Sequence, residues 1–139
     1  MNSETSRTRT IARKTAIVLL FFLGITALLG SLPMILDPSG ESMQLPPEIL
    51  EGTPFETFRI PALLLGVFNG LMSLVLAVLV IRKVKPQAWL VMLQGCTLIT
   101  WLTAEVLMDL FFAALTLPYY VVGILLLISG ILMRRSTPV

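Results

Sequence analysis

The sequence predicts an all-α membrane protein, a four-transmembrane-helix antiparallel bundle with a short extracytoplasmic cap segment between spans one and two. Three observations predict it. Of 139 residues, 56% are hydrophobic and 13% charged, about half the charged share of an ordinary globular chain. Four uncharged stretches, 15–36, 60–81, 87–104 and 110–133, hold 22, 22, 18 and 24 residues, and about 20 helical residues cross a bilayer core. The remaining charges sort by sign onto alternating links. Only residues 37–59 can form much outside the bilayer, and they are too few for a domain, so 1–139 is one transmembrane unit.

Span one is read over about 14–36. Residues 1–12 are rich in Ser, Thr and Arg and read as a mobile tail merging into it. A cleaved signal peptide is the competing reading, but the apolar stretch is about twice a usual h-region and Leu28-Leu29-Gly30 places a large residue at position −3. Arg7-Thr8-Arg9 is not a twin-arginine signal. Pro33 is expected to loosen the last turn by removing one helical donor.

Asp37-Pro38-Ser39-Gly40 has the composition of a type I turn. Pro46-Pro47-Glu48-Ile49-Leu50-Glu51 suits a short helix stopped by Gly52, and Thr53-Pro54-Phe55-Glu56 matches a capping box. An interfacial helix is therefore expected from Pro54 to Arg59, with Phe55 and Phe58 toward the membrane, bending into span two near Pro61. Segment 37–59 reads as an ordered outer cap; a floppy loop is the alternative, less common at this length.

Spans two and three, about 60–82 and 87–109, are joined by the short 82–86 link and should be neighbours, with Trp89 at the interface that indole favours. Span four has two readings: it begins near Leu110 and kinks at Pro118, or it begins around 116–118 with Tyr119 and Tyr120 as an interfacial belt. The second is preferred because proline suits a helix start, giving a span of about 116–134.

Orientation follows from Lys and Arg. Arg7, Arg9, Arg13 and Lys14 precede span one, Arg82, Lys83 and Lys85 occupy the second link, and Arg134 and Arg135 follow span four. Nine of ten cations thus fall on one side, and Arg59 alone on the other. Short basic loops stay in the cytoplasm, which places both termini and the 82–86 link there.

The inventory excludes much chemistry. There is no histidine, and Cys96 is the single cysteine, so an internal disulfide, the common haem, zinc and copper ligand sets and Cys/His or Ser/His/Asp catalysis are not expected. No phosphate-binding glycine loop occurs. No catalytic constellation, cofactor or metal is expected, and the basic residues beside the spans do not point to nucleic acid.

Span three carries most of the polar residues. Gln94, Thr97, Trp101 and Glu105 fall within about 80° of one helix face at 100° per residue, and Asp109 continues it. A carboxylate within a span faces the bundle interior or a wet cavity, and Arg59 is the obvious partner for Glu105 or Asp109. Asn69 in span two could reach Gln94 or Thr97. The candidate polar site is therefore Glu105, Arg59, Asn69, Gln94 and Asp109. It reads first as structural pinning and interhelical glue, second as a proton or cation site.

Gly66-Val67-Phe68-Asn69-Gly70 is a GxxxG extended by Ser73 and Ala77, and Gly24, Ala27 and Ser31 form a shorter stripe on span one. Such stripes allow close helix contact, so Gly66 and Gly70 are expected against the Gly24, Ala27 and Ser31 stripe within the same chain, an oligomer interface being the alternative. Cys96 reads as a small core residue.

Asp37-Pro38-Ser39-Gly40, Leu50-Glu51-Gly52-Thr53-Pro54-Phe55 and Ile60-Pro61-Ala62-Leu63-Leu64-Leu65, followed by a glycine-bearing span two and Trp101, resemble a group of small four-span bacterial integral membrane proteins of uncharacterised function. Ala62 departs from the glycine usual in that group. The resemblance implies a bacterial inner membrane and an ordered cap, and no activity. Two functions compete: an accessory or interaction protein, with the lipid bilayer and a membrane protein or second copy as partners, and a minimal transporter or lipid-binding bundle around Glu105, Asn69 and Gln94.

Overall fold

The computed structural model describes residues 3–37, 39, 48, 57, 59–107 and 113–135, with side chains from Ser6 in the first helix and from Thr116 in the last. It is all-helical: α1 Ser3–Leu36, α2 Arg59–Ile81, α3 Gln87–Leu107 and α4 Ala113–Arg135. Each helix is long and apolar enough to cross a membrane. α1 packs on α2 and α4, and α3 packs on α4 and α2, so the helices form a closed ring of four seams. Leu20, Leu23, Val80, Val91, Leu98, Leu126 and Met133 fill its centre. The expected cap lies outside the described residues apart from isolated positions. Ser39 Oγ donates to Asp37 Oδ1 at 2.6 Å, and Thr57 Oγ1 accepts from the Arg59 N–H at 3.3 Å, capping the start of α2.

Two boundaries differ from the sequence reading. Residues 3–12, expected as a tail, are helical. The apolar span nucleates a helix, and propagation into flanking polar residues costs little once a nucleus exists; Thr10 Oγ1 adds a bond back to the Ser6 carbonyl at 3.0 Å. α1 is thus 34 residues, about 51 Å at 1.5 Å per residue, and its basic start extends past a core of about 30 Å. α4 begins at Ala113, so Pro118 lies inside it and not at its start. Proline so near an N-terminus deprives only the Ala114 carbonyl of its usual donor, which one turn of helix tolerates.

The 82–86 link is closed by hydrogen bonds. The Val84 N–H reaches the Leu79 carbonyl at 3.2 Å and the Lys83 N–H the Val80 carbonyl at 3.0 Å, the pairing of a Schellman cap. Its left-handed position is held by Lys83 at φ 55°, where glycine would avoid a penalty of about 1–2 kcal/mol. Arg13 of α1 completes the end of α2, Nε donating to the Val80 carbonyl at 3.2 Å and Nη2 to the Ile81 carbonyl at 3.0 Å.

Glycines set the two tightest seams. Between α1 and α2, a Cβ on Gly66 would lie 2.8 Å from Ser31 Oγ, one on Gly70 2.9 Å from Leu28 Cδ2, and one on Gly24 3.0 Å from the Gly70 carbonyl. Between α3 and α4, a Cβ on Gly95 would lie 2.9 Å from the Gly123 carbonyl and 3.1 Å from the Leu127 nitrogen, and one on Gly130 2.9 Å from the Ala88 carbonyl. Backbone approaches this close need small residues.

The two seams differ in how they would respond to a methyl group. Gly95 meets backbone, which cannot rotate away, whereas Gly66 meets the end of the Ser31 side chain. Gly95→Ala should lower the thermal midpoint of the detergent-solubilised protein, by about 1–3 kcal/mol of overpacking, and more than Gly66→Ala. Gly30 has nothing within 4 Å, so Gly30→Ala should hold or raise stability by up to about 1 kcal/mol of helix propensity. The reverse order in a melting series would remove the α3–α4 seam from this account.

Candidate functional site: a polar seam at mid-span

α2 is not a uniform helix. Residues Leu65–Leu71 form a π-helical segment between the α-helical Arg59–Leu64 and Met72–Ile81. The Met72 N–H bonds to the Val67 carbonyl, five residues back. Where five-residue spacing returns to four-residue spacing, one carbonyl is left with no donor in its own helix, and here that carbonyl belongs to Phe68. In hydrocarbon such a group must find a partner within the protein.

Gln94 of α3 supplies it. Its Nε2 donates to the Phe68 carbonyl at 3.0 Å and to Asn69 Oδ1 at 3.3 Å. Asn69, Ser73 and Gln94 are all fully shielded from solvent. Asn69 and Gln94 lie where α2 meets α3, the seam with the least contact of the four. Ser73, one turn beyond Asn69 on α2, is buried as well, although the sequence reading placed it only in the packing stripe.

The other candidate residues do not join this pair. Glu105 is half-buried, on the Gln94 side of α3, and takes a side-chain hydrogen bond from Trp101. Eleven residues of helix put it about 16 Å from Gln94 along the axis. Arg59 is exposed, and no ion pair joins it to Glu105. Asp109 lies outside the described residues. Gly24, Gly66 and Gly70 belong to the α1–α2 seam. Cys96, expected in the core, is exposed, because it sits about 160° around α3 from Gln94. Among the described residues no group of three or more Cys, Asp or Glu side chains is placed to hold a metal.

At one end of the bundle the cations gather. Arg13 lies against the Val80 and Ile81 carbonyls, beside the link bearing Arg82, Lys83 and Lys85, and Arg134 stacks over Trp89 with its guanidinium carbon 4.7 Å from the ring centroid. Toward the other end, Thr103 Oγ1 and Tyr120 Oη are hydrogen-bonded at 3.0 Å, and Phe22 stacks on Tyr119 with centroids 6.1 Å apart.

Four spans around a shielded polar seam make this chain a multi-pass membrane protein. No family model, curated protein or solved structure matches it.

If Gln94 serves both the Phe68 carbonyl and Asn69, the two side chains are energetically coupled. Gln94→Leu leaves a buried carbonyl unserved and should cost about 1–3 kcal/mol. In a double-mutant cycle with Asn69→Leu, followed by unfolding in mixed micelles, a coupling of about 0.6–1.7 kcal/mol is expected. Strictly additive losses would show that the bond between them carries no stability.

Proposed function

We propose that this chain is a non-enzymatic interaction protein of a bacterial inner membrane. Its four spans run antiparallel, both termini are cytoplasmic, and the outer face of α3 docks another transmembrane helix. The observation that carries this reading is the composition of that face. Trp89, Leu93, Cys96, Thr100, Thr103 and Leu107 are all exposed, spaced 4, 3, 4, 3 and 4 residues apart, the a/d pattern of a helix seam.

The corresponding outward positions of α1 are Val18, Phe22, Ile25, Leu29, Leu32 and Leu36, a surface suited to acyl chains. α3 instead offers the Cys96 thiol and the Thr100 hydroxyl near mid-span, and its span has the lowest mean hydropathy of the four. Helices in a bilayer gain little from hiding apolar groups and associate through small residues and hydrogen bonds. The Thr100 hydroxyl makes no hydrogen bond among the described residues, and its donor is free for a neighbour. The glycine stripes of the other helices are already used inside the chain.

Orientation is supported by the clustering of Arg13, the 82–85 cations and Arg134 at one end, together with the preference of short basic loops for the cytoplasm. The transporter reading draws on the same Asn69–Gln94 seam. That seam is fully shielded, which favours a structural role for it.

The native thiol provides the test. Bismaleimide cross-linking of membranes at native expression should capture a species larger than the monomer through Cys96. It should vanish with Cys96→Ser and weaken with Thr100→Leu, while Val75→Leu on α2 leaves it intact. Monomer alone in every sample would refute docking at this face. In a Cys96→Ser background, a cysteine at position 42 should label with an impermeant reagent in intact cells and one at position 136 should not; the opposite pattern would invert the topology.

A further inference from the structure

We propose that the α2–α3 seam is a binding site for one small neutral molecule with both donor and acceptor character, and that its resident is a water held by Asn69, Ser73 and Gln94 at mid-membrane. The inference concerns the interior of the bundle and is independent of the docking face on α3.

Three buried polar atoms of α2 and α3 have no hydrogen-bond partner among the described residues: Asn69 Nδ2 and Gln94 Oε1, whose side chains touch at this seam, and Ser73 Oγ, one turn along α2 from Asn69. The amide orientations that create them are fixed by chemistry. The Phe68 carbonyl can only accept, so the nitrogen of Gln94 must face it, at 3.0 Å. The same nitrogen lies 3.3 Å from Asn69, which must then turn its oxygen inward. The amide nitrogen of Asn69 and the amide oxygen of Gln94 are left over by necessity. Ser73 follows Asn69 by one turn, a spacing of about 5–6 Å between Cβ atoms, which one water bonded to both sides can bridge.

The character of the set selects the ligand. A cation would satisfy Gln94 Oε1 and Ser73 Oγ and repel the Asn69 N–H, and an anion would do the opposite. Water accepts from Asn69 Nδ2, donates to Gln94 Oε1 and exchanges either role with the serine hydroxyl, making the about three hydrogen bonds usual for a buried water. All three residues are completely shielded, and Asn69 lies within the π-helical segment, a type of segment that recurs at functional positions in helices.

The chain has two asparagines, Asn2 and Asn69, which makes the test selective. Full-length protein labelled with side-chain 15N-asparagine and reconstituted in lipid vesicles would be studied by proton-detected solid-state NMR, with magnetisation passed from water to the amide groups. Short-mixing transfer to the Asn69 amide is expected, persisting after exposure of the vesicles to a paramagnetic relaxation agent that quenches transfer at water-exposed amides. In a Ser73→Val, Gln94→Leu variant that retains the wild-type helical spectrum, the transfer should fall at least several-fold. A dispersed Asn69 signal with no water transfer in the wild type overturns the proposal. So does equal transfer in the double variant. If the double variant does not fold, the wild-type measurement alone decides.

Discussion

The structure depends on one constraint: inside hydrocarbon every backbone carbonyl and N–H has to be bonded within the protein. Regular helix meets most of that demand without help. The informative places are the two where an interrupted ladder has recruited a side chain from a neighbouring helix. At the end of the π-helical segment the Phe68 carbonyl is served by Gln94 of α3. At the end of α2 the Val80 and Ile81 carbonyls are served by Arg13 of α1. These bonds are therefore also the joints between helices, and they tie α2 to both of its neighbours.

Packing and polarity divide the work. α1 with α2, and α3 with α4, meet through glycine at backbone distance, where dispersion between close surfaces and the absence of side-chain entropy loss do the holding. α2 with α3 has less contact and is held by directed bonds between amides. Such bonds specify register, since a shift of one residue would carry Gln94 away from the Phe68 carbonyl, whereas a glycine stripe tolerates sliding. The bundle thus consists of two closely packed helix pairs, joined by apolar packing where α1 meets α4 and by directed bonds at the Asn69–Gln94 seam.

Much of this was legible in the sequence and some was not, for identifiable reasons. Four spans follow from run length alone. The meeting of Asn69 with Gln94 is readable from two amides near mid-depth on adjacent spans, because a buried amide in hydrocarbon needs a partner within the protein. The approach of Gly66 to Ser31 and of Gly70 to Gly24 follows from small residues one turn apart on helices joined by one loop. The π-helical segment is invisible to pattern reading: Leu65–Leu71 contains no residue that forbids α-helix, and the distortion is decided by the partner that the freed carbonyl finds. Gly95, Gly123 and Gly130 form the second glycine seam through a seven-residue spacing of small residues, Ala88 with Gly95 and Gly123 with Gly130, which a search for GxxxG passes over. Cys96 was misjudged because its small size suggested the core, while its angular distance from Gln94 puts it on the opposite face. Glu105 and Arg59 were paired on charge alone, and charge says nothing of reach.

Lys83 shows how the same constraint and the membrane field act on a single residue. The Schellman cap on α2 requires a left-handed residue, and glycine would meet that need at no conformational cost. Lysine accepts the penalty and adds a third cation to a link of five residues. A positive charge beside a span disfavours passage of a short link across a membrane, an effect absent from the contacts of the folded state. Two preferences therefore pull apart at Lys83: backbone geometry favours glycine, and that effect favours a cation. Arg13 eases the conflict. Its guanidinium neutralises the negative end of α2 by bonding the last carbonyls, so the cap does not rest on the strained lysine alone, and the side chain that reinforces it is itself one of the cations that mark this end of the bundle.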